Sequence, residues 1–247
     1  MSKTVEGAAN WHSCSVNSVR QIAAINNAEW CNAVCRAHGI DGETDERLWT
    51  SRTRTPLLYP DAVTLVPDPS LESLVVRIDA SPGCSIKDSF ATLNLAGLGF
   101  RVLFEAQWIV RTLAETRTIG ADLGWDVVSD VDGFVQWELA WRGTNGPAGV
   151  LLPSLFSLPH VVFAAAKVGE RVVAGAVFYR SVAAVGISNF FVEPSFRSEC
   201  WEGCEELAAT LFPGSLLVGY ESGRALDVAR ERGFAAVGPL QVWIRDN

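Results

Sequence analysis

The spacing of apolar residues predicts a chain in which helices and strands alternate. Apolar residues recur at helical intervals over Val16–Ala37, where Gly39 ends the pattern, and again over Val131–Arg142. The segment Arg101–Arg111 is rich in β-branched and aromatic residues, which is typical of a strand. The pattern therefore indicates a mixed α/β protein.

Three apolar runs after residue 160 predict an antiparallel meander. The runs are Val161–Lys167, Arg171–Arg180 and Ala183–Val192, and the short turns Gly169-Glu170 and Ser181-Val182 separate them. The rest of the chain is predicted to continue as helix, strand, helix and strand. These four elements are expected at Glu202–Leu211, Leu216–Tyr220, Arg224–Arg232 and Val237–Arg245.

The first hundred residues carry weaker signals. We predict an extended segment over Leu57–Val66, a buried strand over Ser73–Asp79, and a helix that Ser85 caps and Gly99 ends. This strand, helix, glycine and strand order matches the later order around Gly233, so the two halves are predicted to repeat one another. The alternative is chance likeness, because such units are common in α/β proteins.

Composition and charge limit the possible functions. The chain has 247 residues, of which 49% are hydrophobic and 19% charged, so we expect a folded globular protein. With 28 acidic and 20 basic residues the net charge is −8, which argues against nucleic acid or anionic lipid as the main partner. No apolar run approaches the roughly 20 residues that span a bilayer. The N-terminus is polar, and we expect a cytoplasmic protein without a membrane segment.

The cysteines suggest packing rather than metal or disulfide chemistry. Cys31 and Cys35, like Cys200 and Cys204, are spaced to share one helical face, where small apolar residues are commonly buried. We therefore predict reduced thiols and no metal site. Cys84 precedes a predicted helix, but no histidine lies near it in sequence, so a structural role is favoured over a nucleophilic one.

The segment that follows the third strand of the meander, Val192-Glu-Pro-Ser-Phe-Arg197, resembles a motif of the GNAT N-acyltransferase superfamily, V-x-P-x-[FY]-R-G-x-G-x-[GA]. Gly233-Phe234 also resembles a pair that these enzymes carry after their fourth helix. The resemblance implies a mixed, mostly antiparallel sheet flanked by helices. Combined with the repeat, it allows a tandem of two degenerate GNAT-like units, with residues 1–115 as a GNAT-like or accessory half and residues 116–247 as the acyltransferase domain. The main structural alternative is a single GNAT-like domain with an N-terminal extension.

The resemblance implies an N-acyltransferase that moves an acyl group from a thioester donor to an amine of a small molecule. The donor would be acetyl-CoA or another acyl-CoA, or a thioester on an acyl-carrier protein. In the family, backbone N–H groups of a glycine-rich turn and a helix N-terminus hold the donor's pyrophosphate. The corresponding residues here are Phe191, Val192, Arg197, Ser198, Cys200 and Trp201.

Ser198, Cys200 and Glu202 stand where the family has small residues, mostly glycine. This departure leaves two other functions open. One is a non-catalytic GNAT-like binding module, and the other is an acyltransferase that takes its acyl group from aminoacyl-tRNA. The net charge of −8 counts against the second of these.

Four residues are candidates for catalysis. Tyr220 and Glu221 end a predicted strand and are the nearest substitutes for the tyrosine acid of the family, whose place Ala229 occupies. Asn189, near the end of the meander, can form a hydrogen bond or orient a water. Glu138 lies on the helix that borders the acceptor pocket in the family. Solvent-facing or capping roles are the alternatives for these side chains.

Overall fold

The computed structural model describes residues 16–113 and 123–246, without the side chains of residues 197–199. The helices of this part are α1 (Val16–Ala37), α2 (Leu71–Val75), α3 (Val131–Arg142), α4 (Pro153–Phe156), α5 (Arg197–Leu211) and α6 (Gly223–Glu231). The strands are β1 (Glu43–Thr44), β2 (Leu48–Thr50), β3 (Ala62–Thr64), β4 (Ser85–Asp88), β5 (Phe100–Thr112), β6 (Trp125–Val127), β7 (Val161–Val168), β8 (Arg171–Arg180), β9 (Val185–Val192), β10 (Leu216–Glu221) and β11 (Ala235–Arg245). None of the helices described is both long and apolar enough to cross a membrane.

All the described strands join one sheet in the order β1-β2-β3-β4-β11-β5-β10-β9-β8-β7-β6. Neighbouring strands are antiparallel except β3 with β4 and β9 with β10, which run parallel. The sheet is therefore mixed and mostly antiparallel, as predicted. The predicted meander and the helix–strand–helix–strand order after it are present, although α5 begins at Arg197, five residues before the predicted start.

Strand β5 comes from the first half of the chain but lies inside the sheet of the second half. Its C-terminal part pairs with β10, from Gln107 opposite Glu221 to Thr112 opposite Leu216. Its other edge pairs with β11 along almost its whole length. The predicted boundary at residue 115 lies outside the described residues, and the division into two halves stays a prediction.

The sheet opens where β9 and β10 diverge. These parallel strands pair at Leu217 with Val185 and at Val218 with Gly186. In the same region β9 bulges away from β8, because two residues, Asn189 and Phe190, face one residue of the neighbouring strand. Asn189 adopts a left-handed backbone conformation with φ of 52°. A bulge removes backbone groups from the ladder and bends the strand, so an open notch forms at this edge of the sheet.

Helices cover both faces of the sheet. On one face α1, α3 and α4 pack in the largest core, which includes Trp30, Trp108 and Trp137. On the other face α5 and α6 pack against Phe178 and Leu217, among others. Side chains alternate along β10, so its residues contribute to both cores.

Two elements of the first half were predicted wrongly. Residues Ser73–Asp79 do not form a strand; helix α2 covers Leu71–Val75, because the Ser70 hydroxyl accepts the N–H of Ser73 at 3.2 Å and caps the helix. The predicted helix after Ser85 is instead strand β4, whose Ile86 pairs with Trp243 on one side and with Ala62 on the other. The repeat therefore fails at both of these elements.

Candidate functional site

Two cavities meet at the notch between β9 and β10. The larger cavity, about 810 Å³, lies between the end of β9, the start of α5, and α6. The smaller cavity, about 300 Å³, lies between α1, the loop before β3, β4, and the diverging strand ends. Phe190 and Glu221 line both cavities. These two residues therefore form the boundary between the two cavities.

Asn189 is fixed in the wall of the smaller cavity by residues of the first half. Its Oδ1 accepts a hydrogen bond from Trp30 Nε1 at 3.1 Å and one from the Tyr59 hydroxyl at 3.3 Å. An indole N–H can only donate, so the amide oxygen must face Trp30. The Nδ2 end of Asn189 is then the end that remains for a ligand.

Tyr220 lies in the smaller cavity between an indole and an ammonium group. Its ring packs edge-on against Trp108 with centroids 5.6 Å apart. Lys87 Nζ lies 4.4 Å from the centre of the same ring and donates to Asn27 Oδ1 at 2.7 Å. A cation over an aromatic face is an attractive contact, so Tyr220 is held by packing on one side and by charge on the other.

Glu221 lies at the junction of the two cavities. Burial raises the pKa of its carboxyl group to about 7. Desolvation disfavours the charged form of an acid. Glu221 can therefore gain or lose a proton near neutral pH, which is the property required of a general base.

The larger cavity has one apolar wall and one wall with two arginines. Phe191, Val192 and Trp201, all predicted to contact the donor, line this cavity. Trp201 is itself held in place, with its ring 4.3 Å from that of Phe190 and 5.6 Å from that of Phe234. Arg224 and Arg232 lie on the other wall, together with Glu221 and Glu231.

The residues that replace the glycines of the motif leave the larger cavity open. Cys200 is buried in a core with Ala166, Val173 and Ala174 and does not line the cavity. The Glu202 carboxylate does not line it either and lies 3.5 Å from Arg232. The predicted contacts of Arg197 and Ser198 concern side chains that lie outside the described part of the structure.

Glu138 is not brought together with the other predicted catalytic residues. It forms an ion pair with Arg142, one turn along α3, at 3.1 Å. Glu138 lines neither of the two cavities that meet at Glu221. Asn189, Tyr220 and Glu221, by contrast, line the smaller cavity together.

Sequence reasoning missed the first-half residues of the site. Trp30, Tyr59 and Lys87 line the smaller cavity, although they are far apart in sequence. The sequence signal for Lys87 was weak, because Asp88 follows it directly and the wrong helix prediction placed both residues near a helix start. The pairing of β4 with β11 instead buries Lys87 to 4% exposure.

The other candidate chemistry has structural explanations. Cys84 is buried, and burial raises the pKa of its thiol to about 12, so it is a poor nucleophile. No disulfide and no cluster of metal-ligating residues occurs among the residues described. Four arginines of the first half each pair with a carboxylate. The pairs are Arg52 with Glu43, Arg54 with Asp61, Arg101 with Asp246 and Arg111 with Glu205.

Comparison with solved structures shows what the fold is similar to. A GCN5-related N-acetyltransferase from Kribbella flavida matches with a TM-score of 0.61 at 14% identity over 92% of this chain and 96% of that one. A GNAT-family protein from Novosphingobium aromaticivorans matches with a TM-score of 0.55 at 13% identity over 91% and 99%. A GCN5-related N-acetyltransferase-like protein from Streptococcus suis matches with a TM-score of 0.51 at 13% identity over 92% and 99%. No family model and no curated protein matches the chain. Identities this low establish the fold, and the chemistry has to follow from the residues.

Proposed function

We propose that this chain, which has the fold of the GCN5-related N-acetyltransferases, transfers an acyl group from an acyl-CoA thioester to an amine of a small molecule. The observation that carries the proposal is the pair of cavities that meet at Glu221, a carboxyl group whose pKa is about 7. The donor enters by the larger cavity and the acceptor by the smaller one, so the two react at the notch between β9 and β10.

The larger cavity suits a donor with a flexible thioester arm and phosphate groups. Its aromatic and aliphatic wall, with Phe190, Phe191 and Trp201, can pack along the arm. Arg224 and Arg232 carry the donors that phosphate oxygens require. Cys200 and Glu202 do not line the cavity, so the altered motif leaves room for this substrate.

Glu221 performs the proton transfers. The Glu221 carboxylate removes a proton from the acceptor amine as the amine nitrogen bonds to the thioester carbonyl carbon. When the carbon–sulfur bond breaks, the leaving thiolate takes that proton from Glu221 and is released as a thiol. The carboxylate is restored, and no separate acid is needed. The bulge at Asn189 and Phe190 supplies backbone groups outside the ladder, which can polarise the carbonyl.

The test is an acyl-transfer assay that measures thiol release from acetyl-CoA over a panel of small amines. With the amine concentration expressed as the neutral, unprotonated form, we expect kcat/KM to rise with pH and to level off above about 7, because only the ionised Glu221 can accept the proton. Glu221→Gln should lower kcat/KM about 10²- to 10⁴-fold and abolish this inflection. Glu72→Gln, at an exposed position of α2, is the matched control and should change neither kcat/KM nor its dependence on pH.

Binding measurements separate the proposal from its alternatives. Acetyl-CoA should raise the melting temperature of the protein in a saturable way, because a ligand of the folded state stabilises it by mass action. Stabilisation by pantetheine or an acyl-carrier protein, without any by acetyl-CoA, would point to a carrier-borne donor. If no thioester binds and no acyl group is transferred, the non-catalytic binding module replaces our proposal.

A further inference from the structure

We infer that the acceptor is an amine that also carries a carboxylate, such as an amino acid, and that Lys87 binds this carboxylate. The inference rests on the proposed function, because it names the substrate class of the smaller cavity. The observation behind it is a buried ammonium group that lines this cavity and has no carboxylate partner among the described residues.

Lys87 is 4% exposed and lines the smaller cavity. Its ammonium group has three N–H donors, and Asn27 Oδ1 accepts one of them at 2.7 Å. The Tyr220 ring adds a contact with the positive charge. No ion pair of the described residues includes Lys87. Lysine is almost never buried to this extent without a charged partner, so a ligand anion would complete the site.

Strand pairing on both sides of β4 holds the backbone of Lys87 in place. Strand β4 lies between two strands, and Lys87 is in register with Val63 of β3 and Val242 of β11. The neighbouring carboxylate, Asp88, is used elsewhere, since it accepts the N–H groups of Phe90 at 3.1 Å and Leu93 at 2.7 Å. A small movement of the Lys87 side chain along β4 therefore gives its ammonium group no free carboxylate partner.

Asn189 adds a second donor to the same cavity. Because its Oδ1 accepts hydrogen bonds from Trp30 and Tyr59, its Nδ2 group remains for a ligand. A carboxylate has two oxygens that accept hydrogen bonds, and charge-assisted bonds to them are the stronger kind. An ammonium and an amide in one cavity thus match a carboxylate better than a neutral group.

Lys87 and Glu221, the proposed base, occupy separate positions in the smaller cavity. Lys87 and Glu221 both line it but form no ion pair with each other. A ligand that carries both an amine and a carboxylate can place the amine at Glu221 and the carboxylate at Lys87. A volume of about 300 Å³ is at the lower end for ligand pockets, which favours a small molecule.

The experiment compares free amino acids with the matching amino acid amides, which keep the amine and the side chain but lack the negative charge. With acetyl-CoA as donor, we expect kcat/KM for the preferred amino acid to exceed that for its amide by about 10- to 100-fold. Lys87→Met should lower kcat/KM for the amino acid to the value for the amide and leave kcat/KM for the amide unchanged. Lys167→Met, at an exposed position of β7, is the control and should preserve the preference.

A second variant keeps the lysine and guards against misfolding of the first. Asn27→Asp places a permanent carboxylate at the position now 2.7 Å from Lys87 Nζ, which should neutralise the cation and abolish the preference for free amino acids. Calorimetric titration of the same amino acids without acetyl-CoA measures binding alone. The wild-type protein should bind these amino acids at least about 10-fold more tightly than the Lys87→Met variant does.

The outcomes distinguish this inference from the proposed function. If Lys87 strengthens amino acid binding but no acyl transfer occurs, Lys87 is confirmed as the carboxylate-binding group of this cavity and the proposed function fails. The inference is overturned if amides react as well as free amino acids, or if Lys87→Met lowers both equally. It is also overturned if no amino acid binds or reacts, because the buried ammonium would then be a structural group.

Discussion

At the scale of single residues, the site depends on side chains that are constrained from several directions. Asn189 combines a left-handed backbone, φ 52°, with two hydrogen bonds to its amide oxygen. Asparagine tolerates this conformation better than most residues, because its short polar side chain can bond locally. Glu221 owes its raised pKa to burial at the junction of two cavities. Both features arise from the way neighbouring elements enclose these positions.

Two substitutions at Asn189 separate its backbone role from its hydrogen bonds. Asn189→Ala removes the acceptor for the buried Trp30 N–H, and we expect the free energy of unfolding to fall by about 1–3 kcal/mol. Asn189→Gly removes the same bonds but relieves the left-handed backbone, so the loss should be about 1 kcal/mol smaller. Urea unfolding followed by tryptophan fluorescence measures both values. An alanine variant as stable as the glycine variant would show that the backbone is not strained.

At the scale of elements, the position of α1 determines the shape of the smaller cavity. Asn26 of α1 is buried, and its Nδ2 donates to the carbonyls of Tyr179 and Ala184 and to the Ser181 hydroxyl. These bonds fix α1 to the β8–β9 turn. Gly186 of β9 permits the close approach, since a Cβ there would lie 2.0 Å from Asn26 Oδ1. Helix and strand are thus matched in shape and in hydrogen bonding.

Gly186→Ala should displace α1 from the sheet. We expect a loss of about 1–3 kcal/mol in the free energy of unfolding, because overpacking forces side chains and backbone to shift. Gly97→Ala is the matched control, since a Cβ at Gly97 meets no atom within 4 Å, and it should change stability by less than about 0.5 kcal/mol. Chemical denaturation measures both.

The Gly186→Ala variant also tests which cavity binds the acceptor. Because α1 supplies Asn27 and Trp30 to the smaller cavity, Gly186→Ala should weaken acceptor use, measured as KM for the amine, more than it weakens the binding of acetyl-CoA. Equal effects on both substrates would contradict the assignment of the acceptor to the cavity beside α1.

At the scale of the whole molecule, the described elements of both halves build one sheet. Strand β5 lies between β10 and β11, and without it both strands would lose a hydrogen-bonded neighbour. Unpaired buried backbone groups are costly. The first half also forms the wall of the smaller cavity through Trp30, Tyr59 and Lys87. Stability and the acceptor site therefore depend on both halves at once.

A fragment of residues 116–247 tests this dependence. Since it lacks β5 and α1, we expect no cooperative thermal transition by circular dichroism, whereas the full chain should unfold in a single transition. Adding the fragment 1–115 should restore a cooperative transition if the two pieces assemble. A cooperative melt of residues 116–247 alone would show that the second half is an independent domain, as the predicted division at residue 115 requires.

The sequence by itself determined the elements whose signals are local. The long helices α1 and α3, the meander β7–β9 and the alternation up to β11 follow from apolar periodicity and from glycines at helix ends. The motif around Val192 indicated the fold, and the strand ends directed attention to Asn189, Tyr220 and Glu221. These features depend on residues that are close in sequence, so a single chain is sufficient to reveal them.

Only the tertiary structure decided which segments meet. Residues 85–88 form a strand because β3 and β11 pair with them. In the pairing with β11, Ile86 lies opposite Trp243, which is about 160 residues away along the chain. That pairing buries Lys87, and the approach of α1 places Trp30 on Asn189. Local propensity contains no information about such distant partners. The wall of the acceptor cavity was therefore missed, because it is made by packing and not by a motif.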